Sequence, residues 1–483
     1  MICLVLSETT IEENIKLLEQ NRAYIDLAEL RVDYLKENQY ENIIPFSNNA
    51  NIPLILTCRR TSDGGKFNKS EKERADILSK ALEGSFTYID LEDDFKKSSL
   101  ENLAKSKGVQ IIRSYHDFEK VPSDIFHRIN KIAKKGEIPK IAAMVTSVSD
   151  LITLFKVKEE LKGVDKKIVV GMGDFGFPTR ILYKKIGSML TFVSSNEVAP
   201  GHISAKEMKI LYKADKVDDN TRIYGIIGNP AIHSFSPKIH NPGFQQIKFN
   251  AIYVPFTVDS VRQFFSLATY LKIGGFSVTV PHKQTVLPYL GKITREVAQI
   301  GSCNTVIRVQ NFWSGTNTDY YGFIQPLIDD LDSKKIQSAL VVGAGGAARA
   351  VVWALRNHGC KVTIVNRTVD KAKQLASETM SSYDTLENSY KYESCDLVVQ
   401  TTSVGMLSDE DPIENFTFNN KHTAYELIYR PKYTAMLQRA KDSGAKLIFG
   451  SEMLIQQGVL QFESFSGYHY PKRLDINLDL EEN

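Results

Sequence analysis

Lys140 and His116 are residue types that together can carry out imine chemistry. Lys140 follows Pro139 and opens an apolar run, and its alternation with Ala142 and Met144 predicts that it points into a protein interior. Burial disfavours an ammonium group, so we expect an uncharged, nucleophilic amine that forms an imine with a ketone. A protonated imine acidifies the adjacent C–H bond, and we expect His116 to remove that proton. The alternative is a solvated strand-edge lysine and a loop histidine.

Three arginines, Arg31, Arg59 and Arg180, follow predicted strands in the same part of the chain. Guanidinium groups pair with carboxylates through two parallel hydrogen bonds, so arginines that converge on one site imply an anionic, oxygen-rich ligand. The alternative is ordinary ion pairing within the protein. The acidic residues available for such pairs are Glu29, Asp33 and Glu92.

A second lysine, Lys283, ends another apolar run, and Asp319 follows in a loop of small polar residues. Hydride transfer to a ketone needs a proton donor beside the developing alkoxide, and a lysine paired with a carboxylate can provide it. The alternative for Asp319 is that it caps a turn, as aspartates in loops commonly do.

A glycine-rich turn with Gly343, Gly345 and Ala348 lies between an apolar run and a predicted helix. In this setting the pattern predicts a dinucleotide-binding loop, because the glycines let a pyrophosphate approach the helix N-terminus. The acid that would bind a ribose 2′-hydroxyl is absent, and Asn366-Arg367-Thr368 stands after the next strand instead. An arginine with two small polar partners suits a 2′-phosphate, which predicts NADP rather than NAD. The alternative for Arg367 is a solvated turn residue.

Eight short apolar runs alternate with segments of helical periodicity over about the first 215 residues. This alternation predicts a closed (β/α)8 barrel rather than an open doubly wound sheet, because no glycine-rich phosphate loop accompanies it. The candidate reactive residues then stand at the carboxyl ends of the strands, where barrel active sites form. The predicted strands are Ile2–Leu6, Tyr24–Leu30, Ile52–Thr57, Phe86–Leu91, Val109–Ile112, Lys140–Val145, Lys167–Val170 and Leu190–Val193.

Five motifs follow one another in the first half of the chain: Glu29-Leu-Arg-Val-Asp33, Thr57-Cys-Arg59, Asp90-Leu-Glu92, Ser114-Tyr-His-Asp-Phe118 and Pro139-Lys-Ile-Ala-Ala-Met144. In that order they resemble type I 3-dehydroquinate dehydratases, and the likeness covers residues 1–212. The resemblance implies Lys140 as the Schiff-base lysine, His116 as the general acid/base and Arg180 as the ligand of the substrate carboxylate. Further implied substrate contacts are Glu29, Arg31, Arg59, Val198 and His202. The chain departs from the family at Asp63, where glutamate is usual, and at His202, where glutamine is usual.

The second half carries another series of motifs, which includes Ser234-Phe-Ser236, Val278-Thr-Val-Pro-His-Lys283, Asn317-Thr-Asp319, Asn366-Arg-Thr368 and Thr401-Thr-Ser-Val-Gly405. They resemble shikimate dehydrogenases over about residues 223–480. The resemblance implies Lys283 and Asp319 as the catalytic pair and NADP as the cofactor. The implied substrate-binding residues are Ser234, Ser236, Thr279, Asn304, Tyr429 and Gln457. The implied cofactor-binding residues are Gly343, Ala344, Gly345, Gly346, Ala347, Asn366, Arg367, Thr368, Thr401, Thr402 and Gly450.

Three residues depart from the usual shikimate dehydrogenase pattern: Ser277 and Gln400, where asparagine is usual, and Glu426, where aspartate is usual. The expected fold class is α/β, with an N-terminal (β/α)8 barrel followed by a substrate domain and a Rossmann NADP domain. We place the barrel at residues 1–214, the substrate domain at 222–330 and the Rossmann domain at 331–450. The C-terminal helices at 451–483 are expected to return to the substrate domain.

The two resemblances share an intermediate and imply a bifunctional enzyme. The barrel would dehydrate 3-dehydroquinate to 3-dehydroshikimate, and the second half would reduce that ketone to shikimate with NADPH. These small molecules are the expected partners, and no metal is expected because the iminium is the electron sink. The alternatives are a quinate/shikimate dehydrogenase that uses NAD and a catalytically silent metabolite sensor. The sensor is disfavoured because Lys140, His116 and Lys283 are all present.

The composition excludes several other classes of protein. The 483 residues are 42% hydrophobic and 24% charged, as in ordinary globular proteins. The formal charge of +3 gives no general attraction to nucleic acid or to membranes. Five scattered cysteines without a C-x-x-C pair argue against disulfides and zinc, and the start of the chain reads directly into a strand. These features predict a cytoplasmic protein, and they carry no signal of oligomeric state.

Overall fold

The computed structural model describes residues 1–96, 98–132, 136–194 and 203–472, together with 474, 476 and 478. These residues form two compact units. The first comprises residues 1–221 with 230–232 and 254–268, and the second comprises 222–229, 233–253 and 269–483. Among the described residues, no helix is both long enough and apolar enough to cross a membrane.

The first unit contains the predicted eight-stranded parallel barrel. Every predicted strand is present, but the sixth begins at Ile138, so Lys140 is its third residue and not its first. The strands are β1 (Ile2–Leu6), β2 (Leu27–Arg31), β3 (Leu54–Thr57), β4 (Tyr88–Glu92), β5 (Gln110–Asp117), β6 (Ile138–Met144), β7 (Ile168–Met172) and β8 (Thr191–Val193).

Helices separate these strands, and side-chain caps fix where several of them begin. Thr10 and Ser70 each form a reciprocal capping box with the glutamate three residues later, and Ser147 caps the helix after β6. The helices are α1 (Ile11–Asn21), α2 (Ile43–Asn49), α3 (Glu71–Ala81), α4 (Ser98–Ser106), α5 (Ile125–Ile132), α6 (Val148–Glu160), α7 (Gly173–Ile181) and α8 (Tyr183–Ile186).

The strands pair in the order β7-β6-β5-β4-β3-β2-β1-β8, all parallel. In the described residues, β7 and β8 do not pair as neighbouring strands. The segments just before them are joined by a hydrogen bond from the Met189 N–H to the Lys167 carbonyl (2.9 Å). The barrel interior is filled by alternate residues such as Ile138 and Ala142 of β6. Lys140 lies between those two in the same phase, so it points inward as predicted.

The second unit begins with a mixed sheet. Its strands β9, β11, β13, β14 and β12 are neighbours in that order, with β9 parallel and β13 antiparallel to β11. The strands in this part of the chain are β9 (Arg222–Gly228), β10 (Ala251–Thr257), β11 (Gly275–Val278), β12 (Lys292–Ile293), β13 (Thr305–Val309) and β14 (Phe312–Thr316). The helices are α9 (Ser236–Gln246), α10 (Val261–Tyr270), α11 (His282–Thr285), α12 (Arg295–Ile300), α13 (Asp319–Ile324) and α14 (Ile328–Asp332), of which α10 belongs mostly to the first unit.

A fully parallel six-stranded sheet follows in the order β17-β16-β15-β18-β19-β20. The order reverses between β15 and β18, and doubly wound sheets bind ligands at such a point. The strands are β15 (Ser338–Val342), β16 (Lys361–Val365), β17 (Ser382–Asp384), β18 (Leu397–Gln400), β19 (Thr423–Glu426) and β20 (Lys446–Ile448). The helices are α15 (Gly346–Asn357), α16 (Val369–Thr379), α17 (Ala435–Asp442) and α18 (Gly450–Ser466).

Glu426 ends β19 as a fully buried carboxyl group. Its Oε1 accepts a hydrogen bond from the Ile428 N–H (3.0 Å), and its Oε2 accepts one from the hydroxyl of Thr434, the N-cap of α17 (2.9 Å). Burial raises the pKa of Glu426 to about 8. The longer side chain at this position therefore reaches both the segment after β19 and the start of the next helix.

The pH dependence of unfolding tests this burial. An unfolded glutamate has a pKa of about 4.3, so from about pH 5 to about pH 8 the native chain keeps a proton that the unfolded chain has lost. Stability of the second unit should therefore fall as the pH rises, and Glu426→Gln should remove that part of the slope. The two tryptophans, Trp313 and Trp353, both lie in this unit, so fluorescence melting reports on it. The exposed Glu414 supplies the control Glu414→Gln, and equal slopes in both variants would contradict the assignment.

Candidate active sites

Lys140 lies buried in the barrel interior, in an ion pair. Its Nζ donates a hydrogen bond to Asp90 Oδ2 at 2.8 Å and lies 3.9 Å from Glu29 Oε1. The ring of Phe192 faces the same nitrogen, with its centroid 4.4 Å away. Asp90 on β4 thus places a carboxylate directly against this buried amine, and the uncharged state expected for Lys140 stays a prediction.

Asp90 is shared between Lys140 and Arg59. Arg59 Nη2 lies 2.8 Å from Asp90 Oδ1, and Arg59 Nη1 lies 3.0 Å from Glu92 Oε1. The Ser114 hydroxyl donates to Asp90 Oδ1 at 2.6 Å and accepts from Arg59 Nη1 at 2.8 Å. Burial alone would raise the pKa of Asp90, but the charges of Arg59 and Lys140 outweigh it and hold that pKa well below its usual range. Asp90 is therefore a carboxylate.

Arg31 also has a carboxylate partner within the protein. Its Nε and Nη2 donate to the two oxygens of Asp33, at 3.0 and 2.8 Å. Asp33 further accepts the backbone N–H groups of Arg59 (3.1 Å) and Lys66 (3.0 Å). Glu29 on β2 accepts a hydrogen bond from the Thr57 hydroxyl at 2.7 Å. The intramolecular pairing considered for the arginines thus applies to Arg31 and Arg59.

His116 lies on β5, where it is the register partner of Ala142 on β6. Its Nδ1 is buried without a hydrogen-bond partner among the described residues, and its ring stacks on Phe118 with centroids 6.1 Å apart. Burial lowers the pKa of His116 well below its ordinary value, and the charges of Arg59 and Lys140 lower it further. A neutral imidazole in this place is able to accept a proton.

Arg180 on α7 differs from the other two arginines. Its Nη1 donates to the Phe192 carbonyl at 3.3 Å, and its buried Nε has no partner in the described part of the chain. None of the ion pairs formed by the described residues involves its guanidinium. Burial lowers the pKa of Arg180 to about 10, so it is charged at neutral pH. A buried cation without a carboxylate partner is suited to bind an anionic ligand.

The loop after β3 passes closely over Arg59. A Cβ at Gly65 would lie 2.0 Å from the Arg59 carbonyl oxygen, so the residue there must be glycine. Asp63, which replaces the usual glutamate, accepts a hydrogen bond from Arg60 Nε at 2.6 Å. Val198 and His202, two predicted substrate contacts, lie outside the described residues.

The second site is built around Lys283 and Asp319. Lys283 Nζ donates to Asp319 Oδ2 at 2.5 Å. The other carboxylate oxygen of Asp319, Oδ1, accepts a hydrogen bond from Asn304 Nδ2 at 2.8 Å. The backbone N–H of Asp319 donates to Asn317 Oδ1 at 2.9 Å. Asn304 Oδ1 in turn accepts the Thr318 N–H at 2.8 Å. The carboxylate of Asp319 is therefore held at a fixed position against the lysine.

The other predicted substrate-binding residues are dispersed over this unit. The Ser234 hydroxyl donates to Ser236 Oγ at 3.1 Å at the start of α9, and Gln457 Oε1 of α18 accepts from Asn304 Nδ2 at 3.4 Å. Thr279 directly follows β11. Tyr429 packs edge-on against Phe235, and together with Phe449 and Ser451, which flank Gly450, it lines a cavity of about 240 Å³.

The three glycines after β15 have three different environments. Gly343 has a φ of +115°, and a Cβ there would lie 2.4 Å from Thr401 Oγ1. A Cβ at Gly345 would meet nothing within 4 Å, so this backbone is open to a ligand. A Cβ at Gly346 would lie 3.0 Å from the Cβ of Lys283. The first turn of α15, which contains Ala347, is thus in direct contact with the lysine.

A polar cavity of about 300 Å³ lies beside this turn. Ala344, Gly345, Asn366, Arg367 and Thr368 line it, as do two cations that the sequence reasoning missed, Arg349 and Lys371. The sequence does contain a signal for Lys371: it stands four residues after Arg367 on the first turn of α16, so the two cations can lie near each other. Thr402, at the neighbouring loop, donates its N–H to Gln400 Oε1 at 2.8 Å. Arg349 pairs with Glu378, so Arg367 and Lys371 are the two lining cations that the ion pairs of the described residues leave for an anionic group such as a phosphate.

Three family models match the chain. The type I 3-dehydroquinase model matches residues 2–219. The model for the shikimate dehydrogenase substrate binding domain matches residues 226–306, and the shikimate / quinate 5-dehydrogenase model matches residues 327–424.

The chain is 32% identical to the chloroplastic bifunctional 3-dehydroquinate dehydratase/shikimate dehydrogenase of Arabidopsis thaliana, over 98% of this chain and 83% of that protein. It is 38% identical to a shikimate dehydrogenase (NADP+) of Desulforamulus reducens, over 53% of this chain and 94% of the relative. Among solved structures, a shikimate dehydrogenase in complex with NADP+ matches with a TM-score of 0.50 and 32% identity, over 55% of this chain and 94% of that one.

Two arginine substitutions in the barrel should change stability in opposite directions. Arg180→Met removes a buried charge that no described carboxylate compensates and should stabilise the first unit. Arg59→Met removes the cation that Asp90 and Glu92 share, so two buried carboxylates each lose one of their cationic partners, and it should destabilise the first unit by about 3–5 kcal/mol. Calorimetric unfolding of both variants measures the two shifts. Similar destabilisation by both substitutions would show that Arg180 has a partner in the ligand-free protein.

Proposed function

This chain belongs to the family of bifunctional 3-dehydroquinate dehydratase/shikimate dehydrogenases, and we propose specific roles for the residues at its two sites. The barrel dehydrates 3-dehydroquinate to 3-dehydroshikimate, and the second unit reduces that product to shikimate with NADPH. The observation that carries the assignment of the first site is the buried Lys140–Asp90 pair at 2.8 Å beside an uncharged His116.

At the first site, the substrate carboxylate pairs with Arg180, the guanidinium that lacks a carboxylate partner among the described residues. Lys140 loses its ammonium proton and its Nζ attacks the ketone carbon, which releases water and leaves a protonated imine. Asp90, 2.8 Å away, holds this cation in place of the ammonium. The charge balance around Asp90 is therefore the same before and after imine formation.

His116 performs the proton transfers of the elimination. The protonated imine draws electrons from the adjacent carbon, so the neutral imidazole removes the C2 proton. The imidazolium then protonates the departing C1 hydroxyl, and hydrolysis of the imine restores Lys140. Glu29, Arg31 and Arg59 are proposed to hold the ring hydroxyls, and the segment containing Val198 and His202 is proposed to contact the substrate.

At the second site, Lys283 and Asp319 handle the proton of the ketone reduction. Lys283 donates a proton to the oxygen that becomes an alkoxide, and Asp319 keeps the ammonium in place through the 2.5 Å contact. Asn304 and Asn317 fix the orientation of Asp319. Ser234, Ser236, Thr279, Tyr429 and Gln457 are proposed to bind the substrate carboxylate and hydroxyls.

The residues after β15 fit NADP. When bound, NADPH supplies the hydride of the reduction. Gly345 leaves the backbone open to the pyrophosphate, and Arg367, Arg349 and Lys371 line a cavity whose charge suits a 2′-phosphate. Gly343, Gly346, Thr401, Thr402 and Gly450 complete the proposed cofactor contacts.

Trapping of the imine tests the first site. Borohydride treatment with 3-dehydroquinate should attach the ligand to Lys140, and Lys140→Ala should abolish dehydration and leave reduction of 3-dehydroshikimate intact. Mass spectrometry locates the adduct. Lys167 is an equally buried lysine of the barrel (both are 5% exposed), and it donates to the carbonyls of Leu161 and Val164. An adduct on Lys167, or on any lysine in the Lys140→Ala variant, refutes the assignment.

Cofactor choice tests the second site. Arg367→Ala and Lys371→Ala should each raise the KM for NADPH about tenfold or more, because each removes a charge-assisted hydrogen bond to the 2′-phosphate. The KM for NADH should stay unchanged, since that cofactor has no such phosphate. Lys373 lies on the same helix but not among the residues that line the cavity, so Lys373→Ala is the control. Equal effects on the two cofactors would place the 2′-phosphate elsewhere.

A further inference from the structure

A continuous chain of alternating charges connects helix α3 with the amine of Lys140. We call it the ion-pair chain, and its members are Glu71, Arg74, Glu92, Arg59, Asp90 and Lys140. Each consecutive pair is within ion-pairing distance: 2.8 Å for Glu71–Arg74, 2.8 Å for Arg74–Glu92, 3.0 Å for Glu92–Arg59, 2.8 Å for Arg59–Asp90 and 2.8 Å for Asp90–Lys140.

Arg74 is the cation of this chain that the proposed mechanism does not use. Its side chain is 1% exposed, and its Nη1 lies 2.9 Å from Glu92 Oε1 and 2.8 Å from Glu92 Oε2. The same Nη1 donates to the Cys58 carbonyl at 2.9 Å, one residue before Arg59. Arg74 therefore contacts both the carboxylate that pairs with Arg59 and the backbone that carries Arg59.

Glu92 is the point through which Arg74 acts. Its carboxylate is buried and is divided between two guanidinium groups, those of Arg74 and Arg59. If Arg74 were neutral, Glu92 would have Arg59 as its single cationic partner and would draw that guanidinium away from Asp90. Asp90 would then present more of its negative charge to Lys140. In a buried site such a change is weakly screened, so it stabilises the ammonium form of the lysine.

We propose that Arg74 is a positioning residue of the dehydratase, which acts through Glu92 and Arg59 to set the pH at which the Lys140 amine becomes free to attack. The inference deepens the proposed function and rests on it. Arg74 is held on α3, outside the strands that form the barrel wall, and it touches no reacting atom in the mechanism above. Its effect on catalysis is electrostatic and is transmitted by the two buried carboxylates.

The other charged and titratable groups around Lys140 come from several elements. Asp90 on β4 and Glu29 on β2 face the lysine, and so does the ring of Phe192 on β8. Cys3 on β1 interacts with it as well, but burial raises the pKa of the Cys3 thiol well above its ordinary value, so the thiol is neutral. His116 on β5 responds to both Lys140 and Arg59. None of these groups contacts Arg74, so a substitution of Arg74 alters the charge at the lysine without altering its direct neighbours.

The experiment measures kcat/KM of dehydration against pH for Arg74→Gln and Arg74→Lys. Glutamine removes the charge and keeps a hydrogen-bond donor, so the acid limb should move up by about one pH unit. The rate at any pH on the acid limb should then fall about tenfold, while the plateau at high pH and the KM stay within about twofold of wild type. Lysine restores the charge and should return the profile towards that of wild type.

Arg113 supplies the matched control. It is fully buried and pairs with Glu101 (2.6 Å) and Glu137 (2.9 Å), and its contact with the ion-pair chain is a donation to the backbone carbonyl of Glu92. Arg113→Gln should lower stability without moving the pH profile. Reduction of 3-dehydroshikimate by the same chain reports the amount of enzyme in every variant, and calorimetric unfolding reports whether the first unit, which contains Arg74 and Arg113, is folded.

The outcomes separate this inference from the proposed function. A shifted acid limb in Arg74→Gln that Arg74→Lys reverses, with none in Arg113→Gln, supports the positioning role. An unshifted profile, or equal shifts in Arg74→Gln and Arg113→Gln, overturns it while leaving the function intact. A wild-type chain that reduces 3-dehydroshikimate but does not dehydrate 3-dehydroquinate overturns the proposed chemistry of the barrel and this inference with it.

Discussion

The barrel site depends on charge balance in a space from which water is largely excluded. A buried ammonium is tolerable when a carboxylate lies against it, and Asp90 provides that carboxylate at 2.8 Å from Lys140. Asp90 on β4 in turn pairs with Arg59, and Arg59 pairs with Glu92 on the same strand, so the charge balance extends outward to Arg74 on α3. Arg180 stands outside this arrangement, because no described carboxylate neutralises it. Among the described residues, the site thus has one positive charge without a carboxylate partner, and this is where the substrate carboxylate is proposed to bind.

The second unit uses the same kind of pair but fixes it by hydrogen bonds. Asp319 is held by Asn304 and Asn317, and these amides belong to the segments around β13 and β14. Lys283 is placed from the other side, since its Cβ packs against Gly346 at the start of α15. The glycine there leaves room for the lysine, while Gly345 beside it remains open towards the cofactor cavity. The proposed proton donor, Lys283, and the proposed nucleotide loop therefore contact each other at Gly346.

Periodicity and motifs predicted the barrel, its eight strands and the inward direction of Lys140, because these follow from local alternation. The sequence predicts that β6 begins at Lys140, because proline is usually found at the start or edge of a strand. In the structure β6 begins two residues earlier, at Ile138, and Pro139 lies within it. The partner of Lys140 could not be read from the sequence, because Asp90 and Glu92 are equally acidic and the choice depends on barrel geometry. Arg74 was missed although its spacing to Leu78 and Ala81 matches the buried face of α3. An arginine on such a face is a detectable signal of a buried ion pair.

The contrast between the two lysines explains how one residue type can perform the two proposed reactions. Both are paired with a carboxylate, at 2.8 Å for Lys140 and 2.5 Å for Lys283. The proposed nucleophile must lose its proton, and the carboxylate that pairs with Lys140 is shared with Arg59, while a histidine whose pKa is lowered by burial and by the charge of Lys140 is able to take part in proton transfer. A proton donor must keep its proton until hydride arrives, and Lys283 has instead a carboxylate whose second oxygen is occupied by Asn304. The neighbours of the pair, and not the pair itself, decide which chemistry follows.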